Sequence, residues 1–431
     1  MRHLLGLRRV RRACRVRRAC RVRRVHRVHR DRRFLIGALA LTGCLTLNGT
    51  TAAGAPIVPV PRGEQARIAF AQRYHAVQHG GIVRAANSAI TCRRPVPRTQ
   101  SAAAGAAACA DVRRGGPGAN HDFDMFYTDI DNDPNTYNSS AGEVRLPAGA
   151  QVSYARLYWG GNLRAGEQKP PKDNGRVLIA EPGGRYRALF ADTLVGHRVA
   201  HGADAFQASA DVTSLVRDSG GGSYTVAQVN VAMGHSRAGA WGGWTLVVAY
   251  ENAREPLRSL SLWDGFDSFG GAGAGRGRGH VVRMKGARSS VPGVRVAASD
   301  VQGAPRGRFG AGRGVVGLVA YDGDRGARGD ALRVSAGRGG RPVTLSDPAN
   351  PSDDVLNSTV SEPGPPARRS PAYANTLGYD SDVLPLGERL RGPRGDLTLR
   401  VSSRADAAWI GVLFAAVDVP EGVARYADGP R

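Results

Sequence analysis

The stretch SYTVAQVNVA, Ser223–Ala232, indicates the fold class most directly. Small or apolar residues from Thr225 to Val231 alternate with a second set, in which Gln228 and Asn230 are polar. A period of two is typical of a β-strand that has one wetter face. We therefore expect a strand along this stretch.

Further runs rich in Val, Leu, Tyr and Thr follow at short intervals and are separated by Gly, Pro, Asn and Asp, whereas helical periodicity is nearly absent. The best short helix is ADVTSLVRD, residues 210–218. This pattern predicts an all-β protein of two β-sandwich, jelly-roll-like lobes with few short helices. The runs are RIAF (67–70), GIVRAANSAIT (81–91), FDMFY (123–127), QVSYARLYW (151–159), RVLIAE (176–181), RYRALFAD (185–192), WTLVVAYE (244–251), RSLSLW (258–263), VVGLVAY (315–321), DLTLRVS (396–402) and AWIGVLFAAVDV (408–419).

The Gly-rich stretch GGAGAGRGRG, residues 270–279, is the expected domain boundary. It divides the chain into a first lobe at 66–269 and a second lobe at 280–420, and each is long enough to bury a core.

The N-terminal 53 residues have the order of a secretory signal peptide. Residues 1–33 contain fifteen arginines and one acid, and an apolar run, Phe34–Leu47, follows them. Cleavage is expected after Ala53. Two alternatives stay open: lipidation of Cys44 in the sequence LTGC, and an uncleaved membrane anchor.

These features predict export, with the protein secreted or held at the cell surface. The membrane would be reached only through the N-terminal segment, if that segment is uncleaved or lipidated. The formal charge of +24 does not favour nucleic-acid binding, because much of it lies in the segment expected to be removed.

Cys92 and Cys109 are the two cysteines outside the predicted signal peptide. They lie 17 positions apart in a loop-like segment of a protein expected to be exported. We therefore expect a disulfide between them.

The stretch DFDMFYTDIDNDPNTYNSS is unusually acidic for a basic chain. Asp129, Asp131 and Asp133 have a spacing that lets a loop direct several oxygens at one calcium ion. The positions of Pro134 and Ser140 exclude an EF-hand. The alternative is an Asx turn, in which the carboxylates accept hydrogen bonds from the backbone.

A second acidic loop, YDGDRGARGD, contains Asp322, Asp324 and Asp330, and a third is SDPANPSDD, residues 346–354. Each is also a common turn composition. Calcium is therefore the only cofactor that the sequence suggests.

No local motif indicates catalysis. The chain has no phosphate-binding loop, no dinucleotide glycine motif and no zinc-spaced histidine pair on a helix. The alternative to a non-enzymatic protein is a secreted hydrolase acting on polysaccharide. Its acids would come from Asp122, Asp124, Asp129, Asp131 and Glu143.

The tryptophans could stack on sugars, but tryptophan in or beside strands is more often part of a core. We expect a core role for Trp159, Trp241, Trp244, Trp263 and Trp409.

Five segments, in the same order, resemble a β-rich module of uncharacterised bacterial exported and cell-surface proteins. They are residues 120–162, GGWTLVVAYENAREPLRSLSLWDGF (242–266), GLVAYDGDRGARGD (317–330), NPSDDVLNSTVS (350–361) and ANTLGYDSDVLPL (374–386). That module often precedes adhesin-like repeats, which do not follow it here. The resemblance implies no catalytic residues.

Together these observations predict an extracellular or cell-surface structural or binding module without catalytic activity. We expect its partner to be a glycan or a component of the cell envelope.

Overall fold

The fold is organised around a ten-stranded sheet that is antiparallel except at one edge. The computed structural model describes residues 68–96, 108–131, 133–270, 280–288, 314–337, 340–366, 368–387, 396–404 and 407–419. In sheet order the ten strands are β17 (Val360–Ser361), β19 (Tyr379–Pro385), β14 (Gly314–Tyr321), β21 (Ala407–Asp418), β12 (Leu257–Gly270), β1 (Ile68–Ser88), β11 (Gly242–Glu251), β5 (Gln151–Asn162), β9 (Ala203–Asp211) and β8 (Thr193–Ala200).

Strand β1 joins the two halves of this sheet. Its first part pairs with β12 as far as His79, and its second part pairs with β11 from Gly80 onward. Gly80 has φ +141°, and a Cβ atom there would lie 2.0 Å from the carbonyl oxygen of Tyr250. Glycine is therefore required where the strand passes from one half of the sheet to the other.

Three smaller sheets and two short helices complete the architecture. A five-stranded sheet has the order β18 (Arg369–Ser370), β4 (Ser139–Val144), β10 (Gly222–Ala227), β6 (Arg176–Ala180) and β7 (Arg187–Phe190). A four-stranded sheet has the order β13 (His280–Arg288), β20 (Asp396–Ser402), β15 (Ala331–Ala336) and β16 (Val343–Thr344). The remaining elements are the pair β2 (Ile90–Pro95) and β3 (Phe123–Tyr127), the helices α1 (Cys109–Arg113) and α2 (Thr213–Ser219), and the 3-10 turns Asn120–Asp122 and Pro171–Asp173.

The apolar side chains form three cores. One lies between the five-stranded sheet and the β11–β5–β9 half of the large sheet, and a second lies between the four-stranded sheet and the β12–β21–β14 half. A third core combines residues from the opposite face of both halves, so these halves pack on each other. On β5, Leu157 and Trp159 belong to the first core and Tyr158 to the third, as the pleat of a strand requires.

The predicted all-β class, with sandwich-like packing and few short helices, is confirmed. Helix α2 lies where the sequence predicted a helix, and its Val216 is fully buried. The expected strand at Ser223–Ala232 is too long, because β10 ends at Ala227 and Gln228 adopts a left-handed φ of 60°. Beyond this point Asn230 turns inward and donates hydrogen bonds to the oxygens of Pro170 and Asn174.

The predicted disulfide and the predicted role of the tryptophans are confirmed. Cys92 at β2 is bonded to Cys109 at the start of α1, with their Cα atoms 5.7 Å apart. All five tryptophans are buried, and the most accessible, Trp263, is 8% exposed.

Several predictions fall outside the described residues. They are the signal segment 1–53 with Cys44 and Ala53, and nearly all of the linker 270–279. The ten-stranded sheet takes strands from both sides of this linker. No helix among the described residues is long and apolar enough to cross a membrane.

Candidate functional site

The carboxylates of the Asp-rich loop after β3 accept hydrogen bonds from nearby residues of the same segment. Asp129 accepts a hydrogen bond from the hydroxyl of Ser139 at 2.7 Å. Asp131 accepts hydrogen bonds from the backbone N–H of Asp133 and from the hydroxyl of Thr136, both at 3.1 Å. Asp133 in turn accepts one from the backbone N–H two residues later. These contacts are those of successive Asx turns.

Hydrogen bonds also stabilise the charge of Asp131. Burial alone would raise the pKa of its carboxyl group, but the hydroxyl of Tyr186 and the other donors outweigh burial, and the pKa is lowered. The donors occupy oxygens that a calcium ion would need. Calcium binding by this loop stays a prediction, and the turn accounts for the observed contacts.

The acids suggested for a hydrolase are engaged with different partners. Asp122 accepts a hydrogen bond from the backbone three residues earlier, and Asp124 forms an ion pair with Arg94 at 3.1 Å. Glu143 accepts one from the backbone N–H of Arg368 at 3.2 Å. Asp129 and Asp131 are used in the turn just described, so nothing in these contacts sets up a catalytic pair.

The three aspartates of the second predicted acidic loop, between β14 and β15, are buried, although the middle of the loop is exposed. The side-chain amide of Asn120 donates hydrogen bonds to Asp322 and Asp324, both at 3.2 Å. The Nδ1 atom of His121 lies 3.4 Å from a carboxylate oxygen of Asp324. A short 3-10 turn, about 200 positions earlier in the chain, thus brings these two aspartates together.

Four further aspartates lie in the same region. Asp330 belongs to the predicted loop, whereas Asp354, Asp380 and Asp382 come from the loop before β17 and from β19. Asp330, Asp380 and Asp382 are 0% exposed. We call the six residues the aspartate cluster: Asp322, Asp324, Asp330, Asp354, Asp380 and Asp382.

Several carboxylate oxygens in the aspartate cluster have no hydrogen-bond partner among the described residues. They are both oxygens of Asp330, Oδ1 of Asp354, and Oδ2 of Asp380 and of Asp382. The Ser403 hydroxyl is close enough to Asp330 to lower its pKa, but without hydrogen-bond geometry. A buried carboxylate oxygen without a partner is unfavourable, so this group requires a proton or a cation.

The pKa values of the cluster reflect this environment. Burial raises the pKa of Asp330 to about 7, with a smaller contribution from the charges of Asp354 and Asp324. Burial and the neighbouring Asp382 raise the pKa of Asp380 well above its usual range. Burial also raises the pKa of Asp382 to about 7, although hydrogen bonds from Ser361 and the charge of Arg84 oppose the shift.

Gly323, in the loop between β14 and β15, allows two oxygen atoms to approach the same side of the backbone. A Cβ atom at Gly323 would lie 2.5 Å from the carbonyl oxygen of Leu356 and 2.7 Å from Oδ2 of Asp380. Both oxygens therefore approach the same side of the backbone at Gly323. No side chain could be accommodated there without moving them.

Positive charge reaches the aspartate cluster at its margins, from Arg84 beside Asp382 and from Arg325 and Arg328 near Asp354. Arg84 is 3% exposed, and its guanidinium donates a hydrogen bond to the carbonyl oxygen of Ser361, beside Asp382. Burial and the charge of Arg84 lower the pKa of nearby Arg369 to about 10. Among the described residues, no ion pair involves Asp330, Asp354 or Asp380.

The aspartate cluster does not form a metal site from side chains alone. Within the part of the chain that the structure describes, no three His, Cys, Asp or Glu side chains converge closely enough to hold a metal ion. Any ion there would need backbone carbonyl oxygens and water as additional ligands.

A separate surface cleft of about 540 Å³ lies beside Gly81 and Ile82 of β1. Its lining includes Tyr250, Glu255, Arg258 and Asp418, and Arg258 forms ion pairs with both acids. Its volume is in the range of sites for small molecules.

The acidic loops predicted from the sequence contain four of the six residues of the aspartate cluster and miss Asp380 and Asp382. Asp380 and Asp382 are two positions apart on one strand, so they share a face of the sheet that would normally be apolar. That spacing within YDSDVLP was the available signal. The contact of Asn120 with Asp322 and Asp324 could not be predicted from local sequence.

Comparison with known proteins gives little further guidance. No protein-family model matches the sequence, and no curated protein matches it. Among solved structures, the chain is similar to the major capsid protein P2 from bacteriophage PM2, at 13% identity and a TM-score of 0.16. That match covers 66% of this chain and 94% of the capsid protein.

Proposed function

We propose that this chain is an exported structural or binding module of the cell surface or extracellular space, without catalytic activity and stabilised by calcium. The observation that carries the proposal is the Cys92–Cys109 disulfide, because such bonds persist in oxidising compartments. The basic and apolar N-terminal sequence adds independent support.

The absence of catalysis is proposed from the surroundings of the acids. A glycoside hydrolase needs two carboxyl groups that flank one substrate bond, and one of them must hold a proton near neutral pH. Asp131 instead has a lowered pKa, and Asp124 is paired with an arginine. A glycan or another envelope component is the proposed partner.

Two experiments test this proposal. Fractionation of producing cells, with sequencing of the mature N-terminus, should find the protein outside the cytoplasm and beginning after Ala53. A cytoplasmic protein with an intact N-terminus would contradict export. In a glycan screen we expect saturable binding without products, whereas turnover would favour the secreted hydrolase instead.

A further inference from the structure

The aspartate cluster brings six carboxyl groups into one region, where the charge of Arg84 acts on Asp382 and the charges of Arg325 and Arg328 act on Asp354. Asp330 and Asp380 are both fully buried, and each has at least one carboxylate oxygen without a hydrogen-bond partner. Neither forms an ion pair with a described residue. Because an isolated buried carboxylate is strongly unfavourable, each of these two groups must take up a proton or have a cation beside it.

The oxygens beside Gly323 suit a hard cation, and Asp330 is near enough for its charge to act on Asp380. Oδ2 of Asp380 and the carbonyl oxygen of Leu356 approach the same side of Gly323, and glycine is the residue that permits this approach. The available ligands are oxygens, which suit calcium and do not suit a zinc site built from cysteine and histidine. Asp354, with one oxygen unpartnered, adds further negative charge.

We propose that the aspartate cluster binds a calcium ion, with Asp330 and Asp380 as carboxylate ligands and the carbonyl oxygen of Leu356 as a backbone ligand. Two carboxylates, one carbonyl oxygen and water molecules are sufficient for a calcium shell of six to eight oxygens. This composition agrees with the lack of any converging set of three acidic side chains.

The inference rests on the proposed export, because extracellular modules bind calcium in the range of about 10⁻⁴–10⁻³ M. It moves the calcium site away from Asp129, Asp131 and Asp133. Those carboxylates already accept hydrogen bonds within their own turn. The ion would instead join the β14–β15 loop, the loop before β17 and strand β19.

The test is a calorimetric calcium titration of the EDTA-treated full chain, together with thermal unfolding at zero and millimolar calcium. We expect saturable binding and a higher melting temperature with calcium, because a ligand that binds only the native state stabilises it. Asp330→Asn and Asp380→Asn should each weaken calcium binding by about tenfold or more. Asp131→Asn is the matched control and should leave the affinity unchanged.

A second measurement separates a calcium ligand from a residue that only supports the fold. In EDTA, Asp380→Asn should melt at the same temperature as the unsubstituted protein or higher, because the substitution removes an unpaired buried charge. In calcium it should melt lower than the unsubstituted protein. A variant that melts lower in both conditions, by the same amount, would overturn the proposal.

The proposal also fails if millimolar calcium produces neither heat nor a shift in melting temperature, or if Asp131→Asn abolishes binding while the cluster variants keep it. These results do not depend on where the protein is found in the cell. A cytoplasmic location would refute export and leave calcium binding measurable, whereas a lack of binding would leave export intact.

Discussion

At the scale of single residues, Gly80 matters because it lacks a side chain, and Glu167 matters because of the donors around its carboxylate. Gly80 allows β1 to pass the carbonyl oxygen of Tyr250, and no other residue fits there. Glu167 keeps its charge because the hydroxyl of Tyr127 and the backbone N–H of Met233 donate to it at 2.6 and 3.0 Å. Each position can be tested by one substitution.

Gly80→Ala should lower the free energy of unfolding by about 2–4 kcal/mol, because the new Cβ atom meets backbone and φ is unfavourable. Urea unfolding measures the loss. The control is Gly149→Ala, which has a positive φ of 79° but nothing within 4 Å of the added atom. Equal losses in the two variants would show that crowding at Gly80 is unimportant.

Glu167→Gln should flatten the dependence of stability on acid pH. Burial would raise the pKa of Glu167, but the donors and the charge of Lys169 outweigh it, and the pKa is lowered. Because the pKa is lower in the folded state, ionised Glu167 contributes to stability at pH values above its unfolded-state pKa of about 4.3. This contribution is lost as the pH falls through the folded-state pKa. Urea midpoints between about pH 7 and pH 3 would measure the difference.

Tyr127→Phe provides the control for this experiment, because it removes one donor and keeps the carboxyl group. We expect its pH profile to lie between those of the unsubstituted protein and Glu167→Gln. A profile for Glu167→Gln that is as steep as the unsubstituted one would contradict the assignment.

At the scale of elements, the Cys92–Cys109 disulfide stabilises two elements, α1 and β2, that are too short to be stable alone. Helix α1 has five residues and β2 has six, and neither length is stable alone. The bond between Cys92 and Cys109 holds the helix against the β2–β3 pair, with both sulfur-bearing side chains in the first core.

The double variant Cys92→Ser, Cys109→Ser should lose roughly 3 kcal/mol of unfolding free energy, the value expected for a loop of this length. Chemical unfolding with and without a reductant measures it. The reductant should destabilise the unsubstituted protein to a similar degree and leave the double variant unchanged. A reductant effect on the double variant would point to a cause other than this bond.

At the scale of the whole molecule, the third core joins the two halves of the large sheet. Trp409 is a fully buried member of this core, with its ring 5.1 Å from that of Phe266 and 6.4 Å from that of Trp241. Because both sandwiches share this core, we expect them to unfold together rather than independently.

Trp409→Ala should lower the free energy of unfolding by about 3–5 kcal/mol while the transition stays single. Hydrogen exchange followed in β10 and β20, one strand from each sandwich, would show whether both lose protection together. Trp409→Phe is the control and should lose much less, because the indole nitrogen has no hydrogen-bond partner among the described residues. Loss of protection confined to β20 would contradict the shared core.

The sequence by itself determined the all-β class, the approximate positions of most strands, helix α2 and the disulfide. Each of these depends on local alternation, on turn residues or on a simple pair of cysteines, which neighbouring residues reveal. The end of β10 was missed because Gln228 leaves the strand in a left-handed conformation that its neighbours do not signal.

Only the tertiary structure decided the strand order of the ten-stranded sheet, the third core and the aspartate cluster. Among the described strands of this sheet, β8 and β9 are the only neighbours that follow each other in the chain. Asn120 likewise reaches Asp322 and Asp324 across about 200 residues. Such contacts depend on which surfaces the whole fold buries together. A local pattern can therefore suggest an acidic loop, but it cannot show which carboxylates become buried without a partner.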